Sequence, residues 1–287
     1  MFCLVRSSHT FVRPRSRQCV FLARDELVSL RYQSRSTNAT ASTTDGEHSA
    51  TNHNNTPATF NIPLIQSMRP FPPWLEGEMR SNHAGETGAV NIYKGAIKAL
   101  DIRRSLGLSY GGNARKGQLS YEDRLRAFAL EHRDSEQHHV DLLGAVLDGD
   151  GISILLPAWR MAGFTLGFAS TIFCPRGMYL TTEAVETFVE EHYMAQIRRL
   201  RYEAAGTVLC DDDGKDADEY GTRTSLKARA ELIVMLEHCC ADEVHHKEEA
   251  RERAAEGPFP WFAWVDTSWQ WFVQTGSAVA ANCARRI

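Results

Sequence analysis

Two segments of the chain carry a glutamate followed three residues later by a histidine, and each is preceded by a lone glutamate 50 to 57 residues upstream. In chain order these six residues are Glu86, Glu136, His139, Glu186, Glu243 and His246. Four glutamates and two histidines on four helices form the ligand set of a carboxylate-bridged pair of iron or manganese ions. The pattern therefore predicts redox chemistry with dioxygen.

The helix faces that carry these residues are otherwise apolar. Around Glu186, for example, Tyr179, Val189 and Tyr193 follow the three- and four-residue spacing of one helix face. Carboxylates in a core need a counter-charge, which metal cations would supply. Taken singly, each glutamate also fits a solvent-exposed face and each histidine a hydrogen-bonded core position. It is the repetition of the pattern over two halves that favours a metal site.

Helical periodicity runs through most of the chain, and no alternating strand pattern is visible. Gly- and Pro-containing segments separate the periodic stretches. Helices are predicted near 76–104, 121–147, 157–173, 177–206, 223–256 and 260–284. We expect an all-α, ferritin-like four-helix bundle over residues 76–287, with a hydrophobic crossover helix and a C-terminal helix added. Residues 58–75 would lead into this bundle.

The first 57 residues differ in composition from the rest. They hold seven arginines, no lysine and four acidic residues, and from about residue 36 they become rich in Ser, Thr, Asn and His. This composition predicts a mitochondrial transit peptide followed by a disordered linker, with a generic disordered tail as the alternative. Since the whole chain carries a net charge of −4, the body without this leader carries −7, which argues against nucleic acid as a partner. The seven scattered cysteines contain no Cys-x-x-Cys pair and suggest neither a zinc site nor a disulfide framework.

Two apolar segments predict contact with a membrane surface. Pro157 and Arg160 interrupt the stretch 152–174, so it is too short to span a bilayer. The stretch 258–273 contains Trp261, Trp264 and two further tryptophans, a residue type that favours the lipid headgroup zone. A hydrophobic dimer interface or simple core is the competing interpretation.

Several stretches resemble the 5-demethoxyubiquinone hydroxylases, the di-iron monooxygenases of ubiquinone biosynthesis. The likeness runs from about residue 76 to the C-terminus and includes RSNHAGETGAVNIYKGAIKAL (80–100), TEAVETFVEEHYMAQIRRL (182–200), RDSEQHH and ADEVHH. It implies two iron ions held by the six residues named above. Within this resemblance Glu136 and Glu243 would bind one ion apiece, while Glu86 and Glu186 bridge or cap. His192 and Tyr193 match positions near the metals.

The resemblance also implies the partners. The substrate would be the ring of a polyprenylated demethoxyubiquinone, with dioxygen as oxidant and NADH as the ultimate electron donor. The enzyme would lie peripherally on the matrix side of the mitochondrial inner membrane, beside a lipid-binding helper protein. No Gly-x-Gly-x-x-Gly fingerprint is present, so a dedicated dinucleotide-binding domain is not expected.

Three alternatives stay open at this point. An alternative-oxidase-like quinol oxidase shares the ligand pattern, a ferritin-like iron- or peroxide-handling protein shares the metals, and a non-catalytic lipid-binding protein needs neither. Pairing of Asp242 with His245, one residue out of register from Glu243 with His246, is a further ambiguity, although the family spacing favours the latter.

Overall fold

The structure, a computed structural model, describes residues 59–108, 119–149, 151–210, 219–256 and 263–287. The predicted leader over 1–57 and Trp261 lie outside the described residues. Residues Ala58–Ile287 form one compact unit.

The described residues form helices and no strands. The helices are α1 (Ile62–Gln66), α2 (Pro73–Ser105), α3 (Tyr121–Leu147), α4 (Leu156–Phe173), α5 (Pro175–Cys210), α6 (Glu219–Ala255) and α7 (Ala263–Ala284). All six predicted helices are present within a few residues of their predicted bounds, and α2 begins inside the segment that was expected to lead into the bundle.

Local sequence explains where these helices begin and end. Pro73 opens α2 at a position where a missing N–H costs nothing. Ser120 caps α3, its hydroxyl accepting a hydrogen bond from the Asp123 amide at 3.1 Å. The same helix ends at Asp148 and Gly149, both with positive φ, the backbone geometry that closes a helix.

The long helices pack as two pairs, α2 with α3 and α5 with α6. The crossover helix α4 lies along α2, and α7 packs on α5 and α2. This arrangement is the predicted all-α, ferritin-like bundle with a crossover helix and a C-terminal helix.

Two apolar clusters fill the bundle. One includes Met79, Leu143 and Leu232. The other includes Ile92, Leu125 and Met178. On α2 the buried Glu86 falls between the residues of the two clusters, so acidic side chains occupy a layer with apolar packing on both sides.

Glycines bring α4 unusually close to α2. A Cβ added at Gly167 would lie 1.8 Å from the carbonyl oxygen of Ile92, and one added at Gly163 would lie 2.2 Å from that of Gly88. No side chain fits in these gaps, so the two backbones are in direct contact here. We call this contact the glycine seam.

Apolar side chains lie exposed on both added helices. On α4, Met161 and Phe173 are 72% and 80% exposed. On α7, Trp264 and Trp271 are 69% and 68% exposed. None of the described helices is both long and apolar enough to cross a membrane.

Candidate metal centre

The six residues predicted from the sequence meet in one buried place. Each is at most 4% exposed. Helix α2 supplies Glu86, α3 supplies Glu136 and His139, α5 supplies Glu186, and α6 supplies Glu243 and His246.

Their side chains form two overlapping groups, and within each group the potential ligand atoms lie within 4.8 Å of one another. One group holds Glu86, Glu136, His139 and Glu243; the other holds Glu136, Glu186, Glu243 and His246. Glu136 and Glu243 belong to both groups. Glu136 and Glu243 thus form a shared central pair, with Glu86 and Glu186 at opposite ends, and the binding of one ion by each of the two central glutamates stays a prediction.

The polar atoms at the centre fit a metal pair better than a hydrogen-bond network. His139 Nδ1 lies 3.0 Å from Glu243 Oε1, and His246 Nδ1 lies 3.0 Å from Glu136 Oε1. Among the described residues, neither these nitrogens nor the carboxylate oxygens of Glu136 and Glu243 have a partner in hydrogen-bond geometry. Buried polar atoms without partners are costly. Lone pairs of oxygen and nitrogen that converge in this way match the donor set of iron or manganese.

The pKa values of the four glutamates in the cluster shift in two directions. Burial, and then the charges of Glu243 and Glu136, raise the pKa of Glu86 and of Glu186 well above the usual value. Burial alone would also raise the pKa of Glu136 and of Glu243, but the two neighbouring imidazoles outweigh it and hold both below the usual value.

The pKa values of the two imidazoles are both raised. Burial would lower the pKa of His139, but Asp242, Glu136 and Glu243 raise it well above the usual value. In the same way, burial would lower the pKa of His246, and the carboxylates of Glu136 and Glu243 raise it to about 10. The cluster therefore holds both acids and bases far from their ordinary titration ranges.

The two residues expected near the metals both line an adjacent cavity but make different contacts. Tyr193 is fully buried, and its hydroxyl donates a hydrogen bond to Glu86 Oε1 at 2.5 Å. His192 accepts a hydrogen bond at Nδ1 from Arg285 at 3.1 Å, and its ring stacks on Phe188. Tyr193 thus touches a candidate ligand, while His192 contacts Arg285 and Phe188.

The structure also resolves the register on α6 and shows a residue that the sequence alone did not assign. Glu243 and His246 point into the cluster, whereas His245 is exposed. Asp242 holds the far side of His139, with Oδ2 3.1 Å from Nε2. Carboxylates that hold the second nitrogen of a metal-binding histidine are a regular feature of metal sites.

An apolar cavity of about 500 Å³ borders the cluster. Helices α2, α4, α5 and α7 line it, and Glu86 and Tyr193 are among its wall residues. Most of the remaining wall is aliphatic or aromatic, including Ile92, Leu166 and Phe188. A cavity of this size can hold a small organic ring with part of an apolar tail.

The fold and the cluster define a class: ferritin-like helical bundles with a buried carboxylate–histidine centre. The sequence profile of one family within it, described as "Ubiquinone biosynthesis protein COQ7", matches residues 110–284. The chain therefore belongs to the COQ7 family. Five of the six cluster residues fall within the match, and Glu86 precedes it.

Curated relatives carry related names. The chain is 31% identical over 152 residues to the "NADPH-dependent 3-demethoxyubiquinone 3-hydroxylase, mitochondrial" of Dictyostelium discoideum, covering 52% of this chain and 61% of that protein. It is 24% identical over 216 residues to the Caenorhabditis elegans protein of the same name, covering 74% and 90%. The "5-demethoxyubiquinone hydroxylase, mitochondrial" of Saccharomyces cerevisiae is 26% identical over 157 residues, covering 54% and 59%. The chain thus spans about three fifths of the length of the Dictyostelium and yeast proteins.

Proposed function

We propose that this chain is a di-iron monooxygenase that hydroxylates the ring of a demethoxyubiquinone, or its quinol, in ubiquinone biosynthesis. The observation that carries the proposal is the convergence of six buried ligands beside an apolar cavity. Family membership and the names of the relatives support the substrate class. Dioxygen is the oxidant in this proposal.

In this proposal two iron ions lie between the four helices. The ions would be held by Glu86, Glu136, His139 and Glu243 at one end and by Glu136, Glu186, Glu243 and His246 at the other. When bound, the iron pair supplies the two-electron activation of dioxygen that ring hydroxylation requires. The protein supplies the positions of the ligands and a site closed to bulk water.

In this proposal, residues between the cluster and the cavity hold Glu86 and the cavity wall in fixed positions. Tyr193 fixes Glu86 through its hydroxyl, and both residues line the cavity, so the acid at that end of the cluster keeps one orientation toward the substrate. Asn82, four residues before Glu86, exchanges two hydrogen bonds with Gln196 at 2.9 and 2.8 Å. These bonds tie α2 to α5 at the cavity wall, and rigid walls hold a substrate ring at a defined distance.

The cavity and the exposed apolar side chains together support an isoprenoid substrate taken from lipid. The cavity lies between α4 and α7, and these helices carry the exposed Met161, Phe173, Trp264 and Trp271. Apolar and tryptophan side chains at a surface favour the headgroup region of a bilayer. We propose peripheral attachment to the matrix side of the mitochondrial inner membrane, with a lipid-binding helper protein that delivers the substrate.

The remaining parts of the proposal concern targeting and electrons. Relatives named as mitochondrial support a transit peptide and linker in residues 1–57, ahead of the bundle over 76–287. The family resemblance implied NADH as donor, whereas the names of several relatives contain NADPH. We keep a reduced nicotinamide nucleotide as the ultimate donor, and comparing both nucleotides with the purified protein would identify which one serves.

Quinone analysis of cells lacking the protein tests the proposal. We expect a demethoxyubiquinone intermediate to accumulate. The wild-type chain should restore ubiquinone, a Glu186→Ala variant should not, and Glu191→Ala, an exposed position on the same helix, should restore it fully. Normal ubiquinone in the deletion strain would refute the substrate assignment. Quinol oxidation by the purified protein without ring hydroxylation would favour the quinol oxidase, and iron uptake with neither reaction would favour the ferritin-like alternative.

A further inference from the structure

The two imidazoles of the cluster are held in different ways. His139 turns its Nδ1 to the centre, while its Nε2 is bonded to Asp242. His246 also turns its Nδ1 to the centre, but its close neighbour is another imidazole. The ring of His132 lies 4.2 Å from that of His246, centroid to centroid, at an interplanar angle of 89°.

His132 is itself tightly fixed. It lies one helical turn before Glu136 on α3 and is 2% exposed. Its Nε2 is 3.0 Å from Glu249 Oε2 on α6. Its ring packs on Phe128, with centroids 4.0 Å apart, and stacks nearly parallel on Tyr93 at 5.9 Å. Two aromatic contacts and one hydrogen bond therefore leave this ring little freedom to rotate.

The carboxylate behind His132 is anchored in turn. Glu249 accepts hydrogen bonds from Arg253, one turn further along α6, at 3.2 and 2.9 Å. The bond to His132 and the neighbouring Arg253 lower the pKa of Glu249 to about 2. An ionised carboxylate only accepts hydrogen bonds, so His132 donates through Nε2. The chain of contacts runs from Arg253 to Glu249, to His132 and on to His246.

A perpendicular ring at this distance restricts rotation of the His246 side chain. The direction of its Nδ1 lone pair decides whether His246 can bind an ion, and side chains around a metal ligand usually fix that direction. At His139 a carboxylate does so directly. At His246 the same constraint comes from an imidazole that a carboxylate holds.

We propose that His132 is a positioning residue of the metal centre, which orients His246 while Glu249 orients His132. The proposal rests on the proposed metal-binding function of the cluster. It makes the two ends of the site unequal: Asp242 controls the end that contains His139, and Glu249 controls the end that contains His246.

Metal titration of the full chain tests this inference without relying on activity. Co²⁺ is added to metal-free protein, and its visible absorption reports the geometry around each ion. We expect His132→Ala and Glu249→Ala to lower the binding affinity of one of the two ions by about tenfold to a hundredfold and to change the spectrum of that ion. The other ion should bind normally. Asp242→Ala should weaken the opposite ion.

Conservative and control variants separate positioning from packing. Glu249→Gln keeps one oxygen that can accept the Nε2 hydrogen bond of His132, at the cost of the bonds from Arg253, and should bring the spectrum closer to the wild type than Glu249→Ala does. Glu252→Ala, an exposed position on the same helix, should leave binding unchanged. Circular dichroism and thermal melting identify variants that do not fold, and Glu249→Gln remains decisive because it keeps the size of the side chain and an acceptor for His132.

Two results would overturn the inference. If both alanine variants bind two ions with wild-type affinity and spectrum, His132 has no effect on His246. Equal weakening of both ions, with no recovery in Glu249→Gln, would show a general packing defect. A wild-type protein that binds no Co²⁺ or Fe²⁺ would instead refute the metal centre itself, together with this inference.

Discussion

Metal binding should expel protons, because the cluster without metal is electrically neutral only when it is partly protonated. At pH 7 the pKa directions leave Glu136 and Glu243 ionised and both imidazoles, His139 and His246, protonated. The raised pKa values of the other two carboxyls, those of Glu86 and Glu186, favour their protonated forms. Two negative and two positive charges cancel. A buried site with zero net charge avoids the large cost of burying unbalanced charge.

Two divalent cations also produce a neutral site, but only when all four carboxylates are ionised and both imidazoles are neutral. Loading the pair at pH 7 should therefore release protons, up to about four, since ligands bind metal in their deprotonated forms. The sign follows directly. Lowering the pH keeps these protons in place and weakens metal binding, whereas raising the pH toward the raised pKa values of His139 and His246 strengthens binding.

Calorimetry measures this exchange. Co²⁺ is titrated into metal-free protein at one pH in two buffers of different ionisation enthalpy, and the difference in heat gives the number of protons released. Glu186→Gln has no ionisable proton at this position, so the number of protons released should fall by about one. The metal-loaded site then carries one uncompensated positive charge, which should weaken binding of the second ion. Glu191→Gln, exposed on the same helix, should behave as the wild type. Release of no protons, or an unchanged count in Glu186→Gln, would refute this account of the cluster.

Two further predictions concern packing and membrane contact. Gly167→Ala places a methyl group 1.8 Å from a backbone oxygen and should lower the free energy of unfolding by about 1–3 kcal/mol or more, measured by urea denaturation. Gly276→Ala, in open space on α7, should instead be neutral or stabilising by up to about 1 kcal/mol, and equal losses in both variants would contradict the glycine seam. Replacing both Trp264 and Trp271 with Ser should reduce sedimentation with liposomes while leaving thermal stability nearly unchanged, because both side chains are exposed. Unaltered liposome binding would favour a protein interface at this surface.

The sequence predicted the helices well because their faces are strongly patterned. Glu186, Val189 and Tyr193 repeat at helical spacing among apolar residues, and the structure places that stripe in the core. The five-residue α1 was missed, since a helix of little more than one turn shows no periodicity and depends on the Asn61 cap.

Contacts between helices were harder to predict. The sequence places His132 on the same stripe as Glu136, but not the partner opposite it, because helix rotation and register are set by packing. The sharing of Glu136 and Glu243 between both groups was missed for the same reason. Glycines on α4 are visible in the sequence, whereas their approach to α2 depends on two backbones meeting in space.

The glycine seam affects which molecules the apolar cavity beside the cluster can accept. Because the glycine seam holds α4 against α2, we expect the width of the cavity to change more readily at the wall that α5 and α7 form. On that wall α7 presents the small residues Gly276, Ala280 and Ala284. Gly276 has open space around it whereas Ala284 is buried, so we expect added bulk at Gly276, rather than along α4, to narrow the cavity at the least cost in stability.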